Sequence, residues 1–286
     1  MSASPLDQAV LTALDALRAL PSPDVLVLAG TGVGALPERL AHQHGDGGSL
    51  DLAGTPGLPD LWARQVLFHG QVPTDHGPAT WWLLEDEALD APVQPHEAPW
   101  ERGFACWLAA RAGASVVLHS AAGAALGGGL EPGDLALVRD HVNLSGSTPL
   151  LGLGGSKLGP LFPDVSRLHH EGLRSGLIRL AAARGIDARE AVVAATAPAS
   201  LPTPAERAWF ATAGADAWVA GAAAPWLAAA HAGLGLASLV AVTGSEATET
   251  EVPAILEASG RAAPALEELL IEGLTLAATT ARAPQA

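Results

Sequence analysis

Apolar positions along the chain switch repeatedly between two periods. Short runs at 25–29, 81–84, 114–118, 135–138, 191–196 and 236–242 are apolar nearly throughout and bounded by Gly, Pro or Asp, the pattern of buried strands. Helical spacing of Leu and Ala marks 7–20, 36–43, 100–112, 165–184, 204–213, 225–232 and 252–281. Residues 66–84 suggest two short strands, and the Gly-rich stretches 44–59 and 152–159 read as surface connections. Strands alternating with helices imply an α/β protein whose central sheet is covered on both faces by helices. No repeat at fixed period and no low-complexity linker divides the 286 residues, so a single domain spanning 1–286 is expected.

Charge and cysteine usage narrow the partners. Thirty acidic residues against 15 basic ones give a formal net charge of −15, which repels nucleic acid and anionic membranes while leaving room for a local phosphate site. The single cysteine, Cys106, excludes an internal disulfide or a cysteine-based zinc cluster and fits a reducing cytoplasm. No basic stretch followed by an apolar core opens the chain, and the weakly charged segment 217–242 reads as a buried helix and strand, so no membrane partner is expected.

Two segments carry the candidate chemistry. Residues 118–146, LHSAAGAALGGGLEPGDLALVRDHVNLSG, leave an apolar run, break into small residues whose backbone amides can face a ligand, and return to strand at 135–138. The reading is strand, binding loop, strand. Gly30-Thr31-Gly32-Val33-Gly34-Ala35 follows a strand and opens a helix, where free amides and the positive helix end favour an anion, with the Thr31 hydroxyl as a further donor. The same letters satisfy G-x-G-x-x-[GA] with Asp51 about 20 residues on, the dinucleotide pattern, and a tight turn without ligand satisfies them too.

The long segment resembles the trimeric purine nucleoside phosphorylase family, which includes the methylthioadenosine phosphorylases. Matching pieces fall in order along the chain: the 30–34 loop, Gly159-Pro160-Leu161-Phe162-Pro163-Asp164, Pro204-Ala205-Glu206, Gly214-Ala215-Asp216-Ala217 and Ala230-His231-Ala232-Gly233. The resemblance implies a central mixed sheet, a homotrimer, no organic cofactor, and cleavage of a purine nucleoside by inorganic phosphate as co-substrate, giving the free base and ribose 1-phosphate. It assigns Thr31, Ser120 and Ala121 to phosphate, with His76 and His96 as further candidates. Ser200, Leu201, Pro202, Ala220, Gly221, Gly244 and Glu246 would line the substrate pocket, and Phe162 would cover a neighbouring subunit's site.

This chain departs from the family at its polar positions. Pro202 stands where the family has a Glu that accepts from the purine, and Gly244 stands where it has an Asn; the chain's only Asn is Asn143. The family's phosphate Arg has no counterpart, since no Arg or Lys lies between Arg64 and Arg102. Ala220 and Gly221 replace a Met and Ser pair, and no His follows His231. A developing negative charge on the leaving base needs such donors, so weak or lost activity is expected.

Two alternatives remain open at this level. One is an inactive paralogue acting as a ligand-binding or structural subunit; the other is an altered glycosyl transferase or nucleoside hydrolase using Glu97 or Glu246. Of the remaining residues, His141 and Asn143 read as loop braces, His231 as a core histidine, Trp218 and Trp226 as packing, and His169-His170 as helical neighbours about 100° apart that make no metal pair.

Overall fold

The computed structural model describes residues 4–30, 33–44, 47–85, 93–245 and 252–283. Within them the elements run α1 (Pro5–Ala16), β1 (Val25–Ala29), α2 (Leu36–His44), β2 (Gly48–Asp51), β3 (Val66–Val72) and β4 (Ala79–Glu85). A 3-10 turn (Pro99–Gly103) leads into α3 (Phe104–Ala112), followed by β5 (Val116–Ala125), β6 (Leu135–Asn143), α4 (Glu171–Arg184) and β7 (Ala188–Thr196). The remainder is α5 (Pro204–Thr212), β8 (Ala217–Ala220), α6 (Ala223–Ala232), β9 (Gly235–Gly244) and α7 (Val252–Arg282).

The strands form one mixed sheet in the order β2-β3-β4-β1-β5-β8-β7-β6-β9, and β9 returns to pair with β5. Half of the sheet is therefore closed into a ring of β5, β8, β7, β6 and β9. One edge of β5 bonds parallel β1 through Val116–His119 and antiparallel β8 through Gly123–Ala125. The other edge bonds β9 from Val116 to Ala124. Among the described residues, no strand pairs with 120–122 on the first edge.

A ring of five strands leaves space only for small side chains. Ala191, Val193, Ala195, Ala217, Val219, Val240 and Val242 share one buried cluster with α3 and α6. The opposite face packs leucines and alanines of α4 and α7 against β1, β6 and β9. The same narrowness explains the first departure from the sequence reading: residues 119–125, expected as a loop, continue β5. Their small size serves strand approach, for a Cβ on Gly123 would meet the Trp218 carbonyl and the Val219 side chain. A second departure is β2, inside the expected 44–59 loop, which forms by pairing antiparallel with β3.

Residues 165–170 are a third. The helix expected from 165 begins only at Glu171, because His169 bridges to Leu236 and His170 caps the helix, its Nδ1 accepting from Leu173 N at 3.2 Å. His169 and His170 are thus not helical neighbours. Instead His169 Nε2 lies 3.2 Å from His141 Nδ1, and the rings of His119, His141 and His169 stand edge-on to Trp226 at 5.9, 5.1 and 5.3 Å. Trp226 Nε1 donates to His119 Nδ1 at 3.2 Å. His231 is the core histidine expected, accepting from Trp107 Nε1 at 2.9 Å, and Asn143 braces its loop through Ser145 N at 3.0 Å.

Burial holds His169 down to about 3, helped by charge repulsion from His141, Arg174 and His119; burial also lowers His141, against the pull of Asp140. A histidine lowered in the native state costs nothing above the unfolded value near 6.5. Below that pH the unfolded chain gains a proton the native chain refuses, so stability is lost as pH falls. His169 alone is expected to remove about 2 kcal/mol between pH 6.5 and 5 at 25 °C. Urea unfolding across that range measures it: His169→Gln flattens the acid slope, and an unaltered slope contradicts the assignment.

The ring makes a second prediction. Gly123→Ala is expected to cost about 1–3 kcal/mol by overpacking, whereas Gly127→Ala, where nothing stands within 4 Å of an added Cβ, leaves thermal stability unchanged. Equal melting temperatures for the two variants contradict the tight closure at Gly123.

Candidate functional site

The gap on β5 is where the glycine loop arrives. Gly30 N donates to Ser120 Oγ at 2.9 Å, and a Cβ on Gly30 would meet the Ser120 carbonyl and lie 3.0 Å from Ala121 Cα. Glycine is required there because the backbone leaving β1 lies directly on β5. Ser120 is fully buried, so its hydroxyl oxygen joins loop to strand. Ala121 is 9% exposed beside it. Thr31 and Gly32 lie outside the described residues.

Immediately beyond, Ala122, Gly123 and Ala124 line a cavity of about 720 Å³, closed by Leu201, Trp218, Ala220, the 243–245 turn and the first turns of α7. A bulge builds its floor. Gly123 pairs with Val242 and Ala124 with Gly244, which leaves Thr243 as the extra residue, its hydroxyl donating to Gly123 O at 3.1 Å. Four segments far apart in sequence thus meet at one point. The volume suits a small-molecule ligand.

Of the residues expected in the substrate pocket, Leu201, Ala220 and Gly244 line this cavity. Pro202 is buried and does not line it, and Glu246 lies outside the described residues. Ser200 and Phe162 are exposed and line neither this cavity nor the smaller one described next. Arg207 was missed by sequence reading although it follows the matched Pro204-Ala205-Glu206. That helix begins with a capping box, Thr203 with Glu206, which fixes its first turn. Arg207, one position later, turns back so that Nε donates to Pro202 O at 3.2 Å while the side chain faces the cavity.

Gly221 lines a second, smaller cavity of about 130 Å³, with Ser145, Ser147, Thr196, Ala223, Glu97 and Arg102. Arg102 and Glu97 form a side-on pair, Nε to Oε1 at 2.5 Å and Nη2 to Oε2 at 3.1 Å, with side chains 6% and 7% exposed. The start of α6 beside it has no side-chain cap. His96 is exposed on the neighbouring turn. His76 is not brought to the site. Its β3–β4 turn lies at the start of β1, where Asp24 N donates to Thr80 O at 2.7 Å, whereas Gly30 follows the end of β1.

The dinucleotide reading loses its acidic partner, since Asp51 ends the edge strand β2 with β3 and β4 between it and β1. Among the described residues there is no group of three metal-ligating side chains, and no helix is long and apolar enough to cross a membrane.

Comparison with known proteins agrees with this geometry. Residues 103–274, more than half of the chain, match the model of the Phosphorylase superfamily. Purine nucleoside phosphorylase 1 of Geobacillus stearothermophilus is 36% identical over 104 residues, 36% of this chain and 38% of that protein. Its Bacillus subtilis (strain 168) namesake is 30% identical over 121 residues, 42% and 45% of the two chains. The matched stretch thus spans less than half the length of these relatives. Among solved structures, isoform 2 of purine nucleoside phosphorylase from Schistosoma mansoni, in complex with cytosine and ribose-1-phosphate, superposes with a TM-score of 0.82 at 18% identity, covering 95% of this chain and 97% of that one. Schistosoma mansoni purine nucleoside phosphorylase in complex with adenosine gives 0.78 at 17%, covering 95% and 98%. These likenesses establish the fold over nearly the whole length, and the match across the ring strands and their helices establishes the lineage: the chain belongs to the phosphorylase superfamily.

Proposed function

We propose that this chain, acting as one domain, binds a purine-type nucleoside with its base in the 720 Å³ cavity and phosphate against the Gly30–Ser120 junction, and cleaves ordinary purine nucleosides only slowly. The observation that carries the reading is the convergence of 122–124, Leu201, Trp218, Ala220 and the Thr243 bulge beside the glycine loop. Five consecutive positions of β5, 120–124, lead from the one subsite to the other. Thr31, Ser120 and Ala121 supply the phosphate side, inorganic phosphate attacks the sugar's anomeric carbon, and the bond to the base breaks with its electron pair leaving on the base.

The slow rate follows from what surrounds the leaving base. Charge developing there needs preorganised partners. Pro202 offers only a carbonyl, already taken by Arg207, and Gly244 offers no side chain. A second reading, a subunit that binds ligand without turnover, is favoured by the Glu97–Arg102 pair, which neutralises the guanidinium beside Gly221. A homotrimer is supported by a run of exposed apolar residues, Leu151, Leu161, Phe162 and Val165, with Phe162 86% exposed, and a neighbouring copy would cover them. A buried Cys106 that forms no disulfide among the described residues suits work in the cytoplasm.

The test is phosphate-dependent release of ribose 1-phosphate from inosine and guanosine, with the Bacillus subtilis relative assayed alongside. Two missing polar groups are expected to lower turnover by about 10²-fold or more. Turnover within tenfold of the relative contradicts the slow-rate reading. Nucleoside binding without any ribose 1-phosphate supports the second reading.

A further inference from the structure

The polar groups around the large cavity are unequal. Arg261 is held by Glu257 at 2.8 Å and by the Pro132 carbonyl at 3.1 Å, so that cation and that anion cancel at the rim. Thr243 donates its proton to Gly123 O. Glu131 is exposed, and water screens its charge. Arg207 differs. It is half-buried, and among the described residues its one hydrogen bond, Nε to Pro202 O, orients the guanidinium and leaves the Nη1 and Nη2 edge without a carboxylate. Trp218, 8% exposed in the cavity wall, has an indole N–H with no partner among the described residues.

We infer that Arg207 makes this cavity selective for a flat heteroaromatic base that carries a carboxylate, a deepening of the base-pocket reading above, on which it rests. A guanidinium edge with two parallel N–H donors matches a carboxylate bidentately, and the match is stronger in a partly desolvated cavity than in water. The Trp218 indole and the Leu201 and Ile255 side chains supply the apolar walls for the ring. Donors without a buried acceptor set the polarity of recognition. A ring edge presenting amino or imino protons meets the positive guanidinium unfavourably; a ring edge presenting carboxylate oxygens satisfies it.

Calorimetric titration of purine-6-carboxylate and of adenine at pH 7.5 separates the possibilities, using the full chain and the variants Arg207→Gln and Arg207→Lys, each checked by its melting temperature. The carboxylate is expected to bind about tenfold or more tighter than adenine. Arg207→Gln removes that preference, weakening the carboxylate and easing adenine, and Arg207→Lys restores part of it. Adenine binding as tightly as the carboxylate, or a preference that survives Arg207→Gln, overturns the inference and leaves the base-pocket reading standing. Failure of both compounds to bind the folded wild-type chain overturns both.

Discussion

The structure depends on how β5 shares its edges. Its first half must bond β1, its last residues must bond β8 on the same edge, and its whole length must bond β9 on the other. A strand can meet those demands only if its side chains are small where three backbones crowd together, and Ser120-Ala121-Ala122-Gly123-Ala124-Ala125 meets them, with a glycine where an added Cβ would strike the Trp218 carbonyl. The gap between the β1 and β8 pairings admits the glycine loop, and the register shift against β9 pushes Thr243 out of the ladder to shape the cavity floor. Closure of the ring and formation of the site are therefore one geometrical event.

The strand and helix alternation was legible because buried runs and helical spacing differ in period, and β1 is found where the sequence places it. What escaped were elements set by tertiary pairing. The small residues 120–125 carry no strand propensity of their own and become strand through their neighbours. β2 exists through pairing with β3, and 165–170 leave the helical state because His169 is taken by Leu236. Of the pocket residues expected from motifs, Leu201, Ala220 and Gly244 do line one cavity beside the ring. Arg207 escaped because the capping box and the Pro202 carbonyl turn it inward, and the order β4-β1 sets the His76 turn at the start of β1, at the other end from Gly30.

On the function proposed above, the scaffold and its chemistry have parted company in this chain. Among the described residues, the backbone of the cavity is shaped by the glycine contact, the small strand and the bulge. The Pro202 carbonyl holds Arg207, and Arg102 near the smaller cavity is neutralised by the buried Glu97. A buried pair of that kind is costly to break from one side, by about 3–5 kcal/mol. Arg102 is consequently fixed in place.

Whether absent polar groups, and not the scaffold, limit this protein is measured most directly by restoring them. The double substitution Pro202→Glu with Gly244→Asn places an acceptor next to Leu201 and Arg207, which line the cavity, and an amide at Gly244 in its wall. Phosphate-dependent cleavage of inosine by the folded variant is expected to rise by about 10²-fold or more over the wild-type chain. A folded double variant that cleaves inosine no faster than the wild type would contradict the account.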